Sequence, residues 1–333
     1  MGKHRVSSVL SVLVALPLVA SAACSSGPDN AGQGGGGGEP WGAGGSSGTA
    51  GGAPSDPTTR TQAMVCTAWK DGHVENEPSP LVASGAMCDA GSLQAGAIAD
   101  TLRRLNMYRW FSGLGPADAD PMYNDGAQQC ANLEAWWDFN AGGNPHAPPS
   151  NTPCYTDIGA QTAGQSNIAW GSGTPANAMD QFVEDNGNAS TMGHRRWIVN
   201  PPLGPVGVGF WKTGGAYGNA MCLRIFASNG TGPKPPWVAV PNQGFTPINI
   251  ALWPWTFHGA DPGIPNAQIS MTRVGDGAAL GVTIQKLQQG FGENAISWLP
   301  SGWTPEVGQT YRVTVSGLQM GDVTYEVKPI SCQ

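Results

Sequence analysis

The stretch Met192-Gly193-His194-Arg195-Arg196-Trp197-Ile198-Val199-Asn200-Pro201 gathers a histidine, two arginines and a tryptophan in a chain poor in such residues. Only 12% of the 333 residues are charged and five are histidines, so this cluster marks a place to look for a site. Just upstream, Thr174-Pro175 reads as an N-cap followed by proline in the first helical position, with Met179, Phe182 and Val183 on one face. Further back, Ile98, Leu102 and Leu105 recur at helical spacing before a stop at Gly113, and Ala127, Cys130, Leu133 and Trp137 form a second helical stripe. Downstream, Gly204-Pro205-Val206-Gly207-Val208-Gly209-Phe210 alternates glycine with apolar residues, and residues 221–226 read as another strand. Helices mixed with short strands point to a layered α/β or α+β unit over residues 61–229.

From Gly230 the pattern changes. Residues 233–236 read as a linker, and runs at 268–274, 279–287, 295–299, 310–318 and 323–327 are rich in Val, Ile, Thr, Tyr and Trp, separated by Gly, Pro and Asp. Leu280-Val282-Ile284 and Tyr311-Val313-Val315 alternate cleanly. The spacing predicts a small all-β sandwich over residues 230–333, with no catalytic constellation in it.

The first 24 residues read as an export signal. Lys3, His4 and Arg5 precede an apolar run that is too short to span a bilayer, and small residues stand before Cys24. This resembles a bacterial lipoprotein signal, with Cys24 lipidated as the new N-terminus and the chain anchored to a membrane. Ordinary cleavage at the same bond, with Cys24 free, is the alternative. Residues 25–60 contain five consecutive glycines at 34–38 and read as a flexible tether. Gly (49) and Pro (28) are abundant, which favours loops and β structure over long helices. Loss of Lys3 and Arg5 with the leader leaves 14 basic against 23 acidic side chains, a formal charge of -9 in place of -7. With no basic patch, nucleic acid is not an expected partner.

Beyond Cys24 six cysteines remain: Cys66, Cys88, Cys130, Cys154, Cys222 and Cys332. An even number in an exported chain implies disulfides. Proximity along the chain favours 66–88 and 130–154, leaving 222–332. A metal-binding role is weaker, because none of the six stands in a Cys-x-x-Cys pair.

His146 and His194 flank the stretch Ala163-Gly164-Gln165-Ser166-Asn167-Ile168-Ala169, and Glu184-Asp185 lie between that stretch and His194. Two imidazoles with one or two carboxylate oxygens could hold a zinc or other divalent ion. Capping or surface roles for the same residues are the plainer alternative. His194 could equally be a cleft histidine bonded to a backbone carbonyl. Arg195 or Arg196 could stack on Trp197 as a cation–π pair. Arg109 and Asn106 are expected to organise the fold rather than touch a ligand, and Trp136, Trp137 and Trp170 to lie in the core.

Leu105-Asn106-Met107-Tyr108-Arg109 followed by Gly113-Leu114-Gly115-Pro116, the helix around Cys130, His146, the Asn167-Ile168 stretch, Gly193-His194-Arg195 and Val206-Gly207-Val208-Gly209 come in a definite order. In that order they resemble the CAP superfamily of SCP-like extracellular proteins, over roughly residues 92–226, about 40% of the chain. The resemblance implies an α-β-α sandwich with a central cleft carrying two His and two Glu. The fold class is therefore expected to be α+β, with the sandwich followed by the β domain. The two histidines map onto His146 and His194. The second acid maps onto Asp185 in preference to Glu184, and the first falls on Ser166, with Gln165 one step away. Neither of these is a carboxylate, so the usual charge near a cation and the natural general base are both missing. Gly292-Glu293-Asn294 looks like the missing motif but follows both histidines in sequence, and is set aside.

The leading functional expectation is an exported, surface-tethered protein that is not an enzyme. It would bind a small amphipathic molecule, a glycan or a protein of the cell envelope in a cleft of His146, Gln165, Ser166, Glu184, Asp185, His194 and Arg195. A metal-dependent hydrolase of peptide or glycan bonds is the second reading, with His146, His194 and Asp185 as ligands. A structural or adhesive envelope protein is the third.

Overall fold

The computed structural model describes residues 56–83, 85–137, 142–201, 203–212, 219–226, 230 and 234–333. The expected leader, Cys24 and the tether up to residue 55 lie outside the described residues. The described residues open with a 3-10 turn at Pro57–Thr59. It continues at once into Arg60, whose guanidinium donates to Trp110 O at 2.6 Å and stacks 3.8 Å over the Trp110 ring.

Helix α1 (Gln62–Gly72) starts where the Thr61 hydroxyl accepts from Met64 N–H. A two-residue pair, β1 (Leu81–Val82) and β2 (Ser92–Leu93), leads into α2 (Ala95–Phe111). α2 buries Leu105, Met107, Tyr108, Trp110 and Phe111. α3 (Pro121–Ala135) is capped by the Asp120 carboxylate, and α4 (Asp157–Ala163) by the Thr156 hydroxyl. Strand β3 (Ser166–Trp170) follows, then α5 (Pro175–Glu184). The expected Thr174 cap accepts from Asn177 N–H, and Pro175 stands first in the helix, where its missing N–H costs nothing. The opening motif is the short helix α6 (Gly193–Ile198). β4 (Gly207–Lys212) and β5 (Asn219–Arg224) complete an antiparallel sheet in the order β3-β5-β4.

Helices cover both faces of this sheet. Ile168, Trp211 and Cys222 pack with Ala127, Cys130 and Ala131 of α3 and Ala163 of α4. Their alternating neighbours Ala169, Val208, Phe210, Met221 and Leu223 pack with Met179, Phe182 and Val183 of α5 and with α2. The glycine alternation in β4 reflects how closely α3 lies on it. A Cβ on Gly209 would stand 2.0 Å from Ala127 O, so any side chain there would push the helix off the sheet. Asn106 and Arg109 have the organising roles expected of them. Asn106 bonds both the N–H and the carbonyl of Ala117, and Arg109 donates to Gly115 O, Ile198 O and Asn200 O.

The second half of the chain forms β6 (Val238–Val240), β7 (Gly244–Pro247), the turn of helix α7 (Ile248–Ala251), β8 (Trp255–Gly259), β9 (Gln268–Arg273), β10 (Ala279–Gln285), β11 (Asn294–Ser301), β12 (Tyr311–Ser316) and β13 (Val323–Ile330). These make one curled sheet in the order β6-β8-β11-β10-β9-β12-β13-β7. β10 is the corner: residues 281–285 pair with β11, and Ala279 and Leu280 pair with β9. Curling brings Trp255, Phe257, Ile296 and Trp298 from one half against Met271, Tyr311, Val313 and Val327 from the other in one core. The α+β class is thus present, and this core is formed by a sheet folded onto itself.

The two parts of the chain share an apolar core, in which Val238, Val240, Ile250 and Ile330 cluster with residues of α2 and α5, and are also joined through buried polar contacts. Arg195 of α6 donates to Val183 O and Glu184 O on its own side and to Pro254 O just before β8. Arg196 donates to Gln288 O at 2.6 Å and Glu293 O at 2.7 Å in the β10–β11 connection. Neither arginine is 2% exposed.

The cysteine pairing differs from the expected 66–88, 130–154 and 222–332. The disulfides are Cys66–Cys332, Cys88–Cys154 and Cys130–Cys222. Nearness in sequence is overridden by layering. Cys130 faces the sheet from α3, and its neighbour across the interface is Cys222 of β5. Cys66 on α1 meets the segment after β13. Three disulfides suit an oxidising, extracellular environment, and among the described residues no helix is long and apolar enough to cross a membrane. Cys66–Cys332 closes a loop with a sequence separation of 266. Replacing both partners by Ser is expected to lower the unfolding free energy in urea by about 2–4 kcal/mol. An unchanged midpoint would show that this bond does not constrain the unfolded chain.

Candidate functional site

His194 is set by the hinge between α5 and α6. α5 ends on Asp185 in the left-handed conformation, φ 55°, which turns its carboxylate back towards the start of α6. Asp185 Oδ2 accepts from Arg195 N–H at 3.2 Å. Asp185 Oδ1 accepts from Asn188 Nδ2 at 2.8 Å and lies 3.0 Å from His194 Nδ1. The Asp185 side chain is 1% exposed and that of His194 24%. Asn188 Nδ2 also lies 2.9 Å from His194 Nδ1; with the Nδ1 proton facing the buried carboxylate, Nε2 is the acceptor nitrogen. The Phe182 ring, with its centroid 5.0 Å away, packs on the imidazole.

His146 comes from the loop before α4. Its N–H donates to Asn144 Oδ1 at 3.0 Å, and its Nδ1 lies 2.9 Å from Ala163 O. A carbonyl can only accept, so this proton too is on Nδ1 and Nε2 is left as an acceptor. Burial of the ring lowers the His146 pKa, the Ala163 bond opposes that, and nearby His194 lowers it further. The imidazole is therefore held neutral.

Both histidines line one cavity of about 260 Å³. Asn167, Asn188 and Thr191 supply polar lining, and Trp197, Ile225, Phe226 and Phe291 the apolar part. Among the described residues no Asp, Glu, Lys or Arg belongs to the lining. The Asn amide groups are already committed as donors, Asn167 Nδ2 to His194 O at 3.0 Å and Asn188 Nδ2 to Asp185. The hydroxyl of Ser166, also in the lining, donates to Thr162 O at 2.8 Å. The lining keeps both kinds of group: two imidazole Nε2 and two amide oxygens as acceptors, and the Thr191 hydroxyl, which only accepts from Gly193 N–H, with the second N–H of Asn167 as donors.

The sequence-derived site residues separate into three groups. His146, Ser166 and His194 line the cavity. Asp185 stands behind His194 as its orienting partner. Gln165, Glu184 and Arg195 lie outside the lining. The Gln165 carbonyl accepts from Ile225 N–H, and Glu184 Oε1 accepts from Asn186 Nδ2. Arg195 is 0% exposed. Burial brings its pKa down to about 10, which leaves it charged at neutral pH. Arg196 has its guanidinium 5.8 Å from the Phe291 ring. Gly290 and Phe291 were missed by sequence reading, although they adjoin the set-aside Gly292-Glu293-Asn294.

The donor set does not fit zinc. Both oxygens of Asp185 are taken by protein donors, which leaves two imidazoles where a catalytic zinc needs three protein ligands. Among the described residues no group of three or more His, Cys, Asp or Glu is placed to hold a metal ion. Comparison with protein-family models, with curated proteins and with solved structures gives no match.

Proposed function

We propose that this chain is an exported, surface-tethered binding protein of CAP type, and that the cavity between His146 and His194 takes a small neutral ligand with hydroxyl groups on one side and an apolar face on the other. The observation that carries this is the polarity of the lining. It offers neutral hydrogen-bonding groups, acceptors and donors alike, its remainder is aromatic or aliphatic, and among the described residues it holds no Asp, Glu, Lys or Arg. Such a wall matches an uncharged, hydroxyl-bearing molecule, because each hydroxyl can both donate and accept and so leaves fewer buried polar groups unmet. The ordered motifs around Asn106, His146 and His194, and the sheet covered by helices on both faces, support the CAP reading. The leader, the glycine-rich segment and the disulfides support export and display on a membrane anchor.

The test is calorimetric titration of the purified chain with neutral glycosides, sterols and monoacylglycerols. His194→Ala and His146→Ala are each expected to weaken binding about 3- to 10-fold, the loss of one net hydrogen bond. Absence of binding across the panel, or affinity unchanged in both variants, removes the proposal.

A further inference from the structure

We infer that Phe291, delivered by the β10–β11 connection of the curled sheet, is a ligand-contacting residue that selects a sugar ring over an open chain bearing the same hydroxyls. This deepens the binding reading above and rests on it.

The connection is held at both ends of its tip. Gln288 N–H donates to Ser190 O at 2.9 Å, and Arg196 donates to Gln288 O and Glu293 O. Gln289 Nε2 bonds Leu287 O at 2.7 Å, and its Oε1 accepts from Ala295 N–H at 3.1 Å. Between these ties lie only Gly290, Phe291 and Gly292. The two glycines have φ of 97° and 80°, left-handed conformations that a side chain would strain. The tip therefore turns sharply and presents Phe291 from a fixed base.

What Phe291 meets is the start of α6. Its Cδ1 would stand 2.9 Å from a Cβ on Gly193, so the absence of a side chain at Gly193 admits the ring. Gly193 and Phe291 both line the cavity, together with Trp197 and Phe226. Trp197 packs edge-on against Phe226 with centroids 4.5 Å apart. The apolar lining is thus mainly aromatic. A pyranose has the complementary surface. Its axial C–H groups form a flat apolar face that rests on an aromatic ring, and its hydroxyls project around the edge as donors. An acyclic polyol offers the donors without the rigid face, and must lose rotational freedom to bind. A long lipid chain would use the aromatic wall and leave most of the acceptors unmet.

The assay is titration of the full exported chain with methyl β-glucopyranoside and with sorbitol, read by calorimetry and by saturation transfer from protein to ligand protons. The wild type is expected to prefer the pyranoside. Phe291→Ala is expected to lower pyranoside affinity about tenfold while leaving sorbitol affinity within about twofold, and Phe291→Tyr is expected to restore the preference. Saturation transfer should be strongest at the ring C–H protons. Pyranoside binding that is unchanged in Phe291→Ala overturns this inference and leaves the binding reading standing. A wild type that binds neither probe, or that binds only a monoacylglycerol, overturns the sugar assignment. Equal loss for both probes in Phe291→Ala, without rescue by Tyr, means that Phe291 only props the loop, which also overturns it.

Discussion

Arg195→Met is expected to lower the unfolding free energy by about 3–5 kcal/mol, measured by urea denaturation with the disulfides intact. Two effects oppose each other at this position. Burying a guanidinium is unfavourable, and its lowered pKa, about 10, shows burial as the main cause. Methionine would relieve that cost and roughly fill the volume. Against it stand the carbonyls that the arginine satisfies: Val183 O and Glu184 O at the end of α5, and Pro254 O before β8. Each is left without this donor at a buried junction, and each costs about 1–3 kcal/mol when unmet. Three such losses outweigh the relief. An unchanged midpoint would show that the carbonyls find other partners.

The contrast between legible and hidden features follows from where each interaction is encoded. α2, α3 and α5 were visible because their apolar residues recur at helical spacing beside capping residues such as Thr174. β9 to β13 were visible as short β-rich runs set off by turn residues, and β12 buries alternate residues cleanly. β6 and β8 are buried at every position, so they carry no alternation, and they went unread. The same division runs through the site. His146 and His194 could be found from motif order, and Asp185 from its place before the Gly-His pair. Phe291 could not, because nothing local marks it. It reaches the cavity through bonds from Arg196, whose partners lie more than 90 positions along the chain. The disulfides failed as a sequence reading for the same reason, since Cys130 and Cys222 meet through the stacking of helix on sheet.

Stability is expected to fall by about 3–4 kcal/mol between pH 5 and pH 8 through one residue, Glu134. It lies in the last turn of α3 and is 1% exposed, and neither carboxylate oxygen has a hydrogen-bond partner among the described residues. Its neighbours engage its backbone: the carbonyl accepts from Trp170 Nε1 at 2.9 Å. With no cation or donor facing it among the described residues, burial pushes the carboxyl up from an ordinary 4.5 to about 8. In the unfolded chain the group loses its proton near the ordinary value. Between the two values the folded protein therefore binds more protons than the unfolded chain, and stability declines as pH rises. The contribution is fully present below about 4.5 and is gone once pH has passed through about 8. A surface carboxylate could not do this, because water would solvate its charge. Glu134→Gln keeps the shape and cannot ionise, so its urea midpoint should lack this fall while the wild type loses stability across the same window. Parallel pH profiles for the two proteins would mean that Glu134 ionises in the fold with its charge compensated, and would return the slope to the other titrating groups.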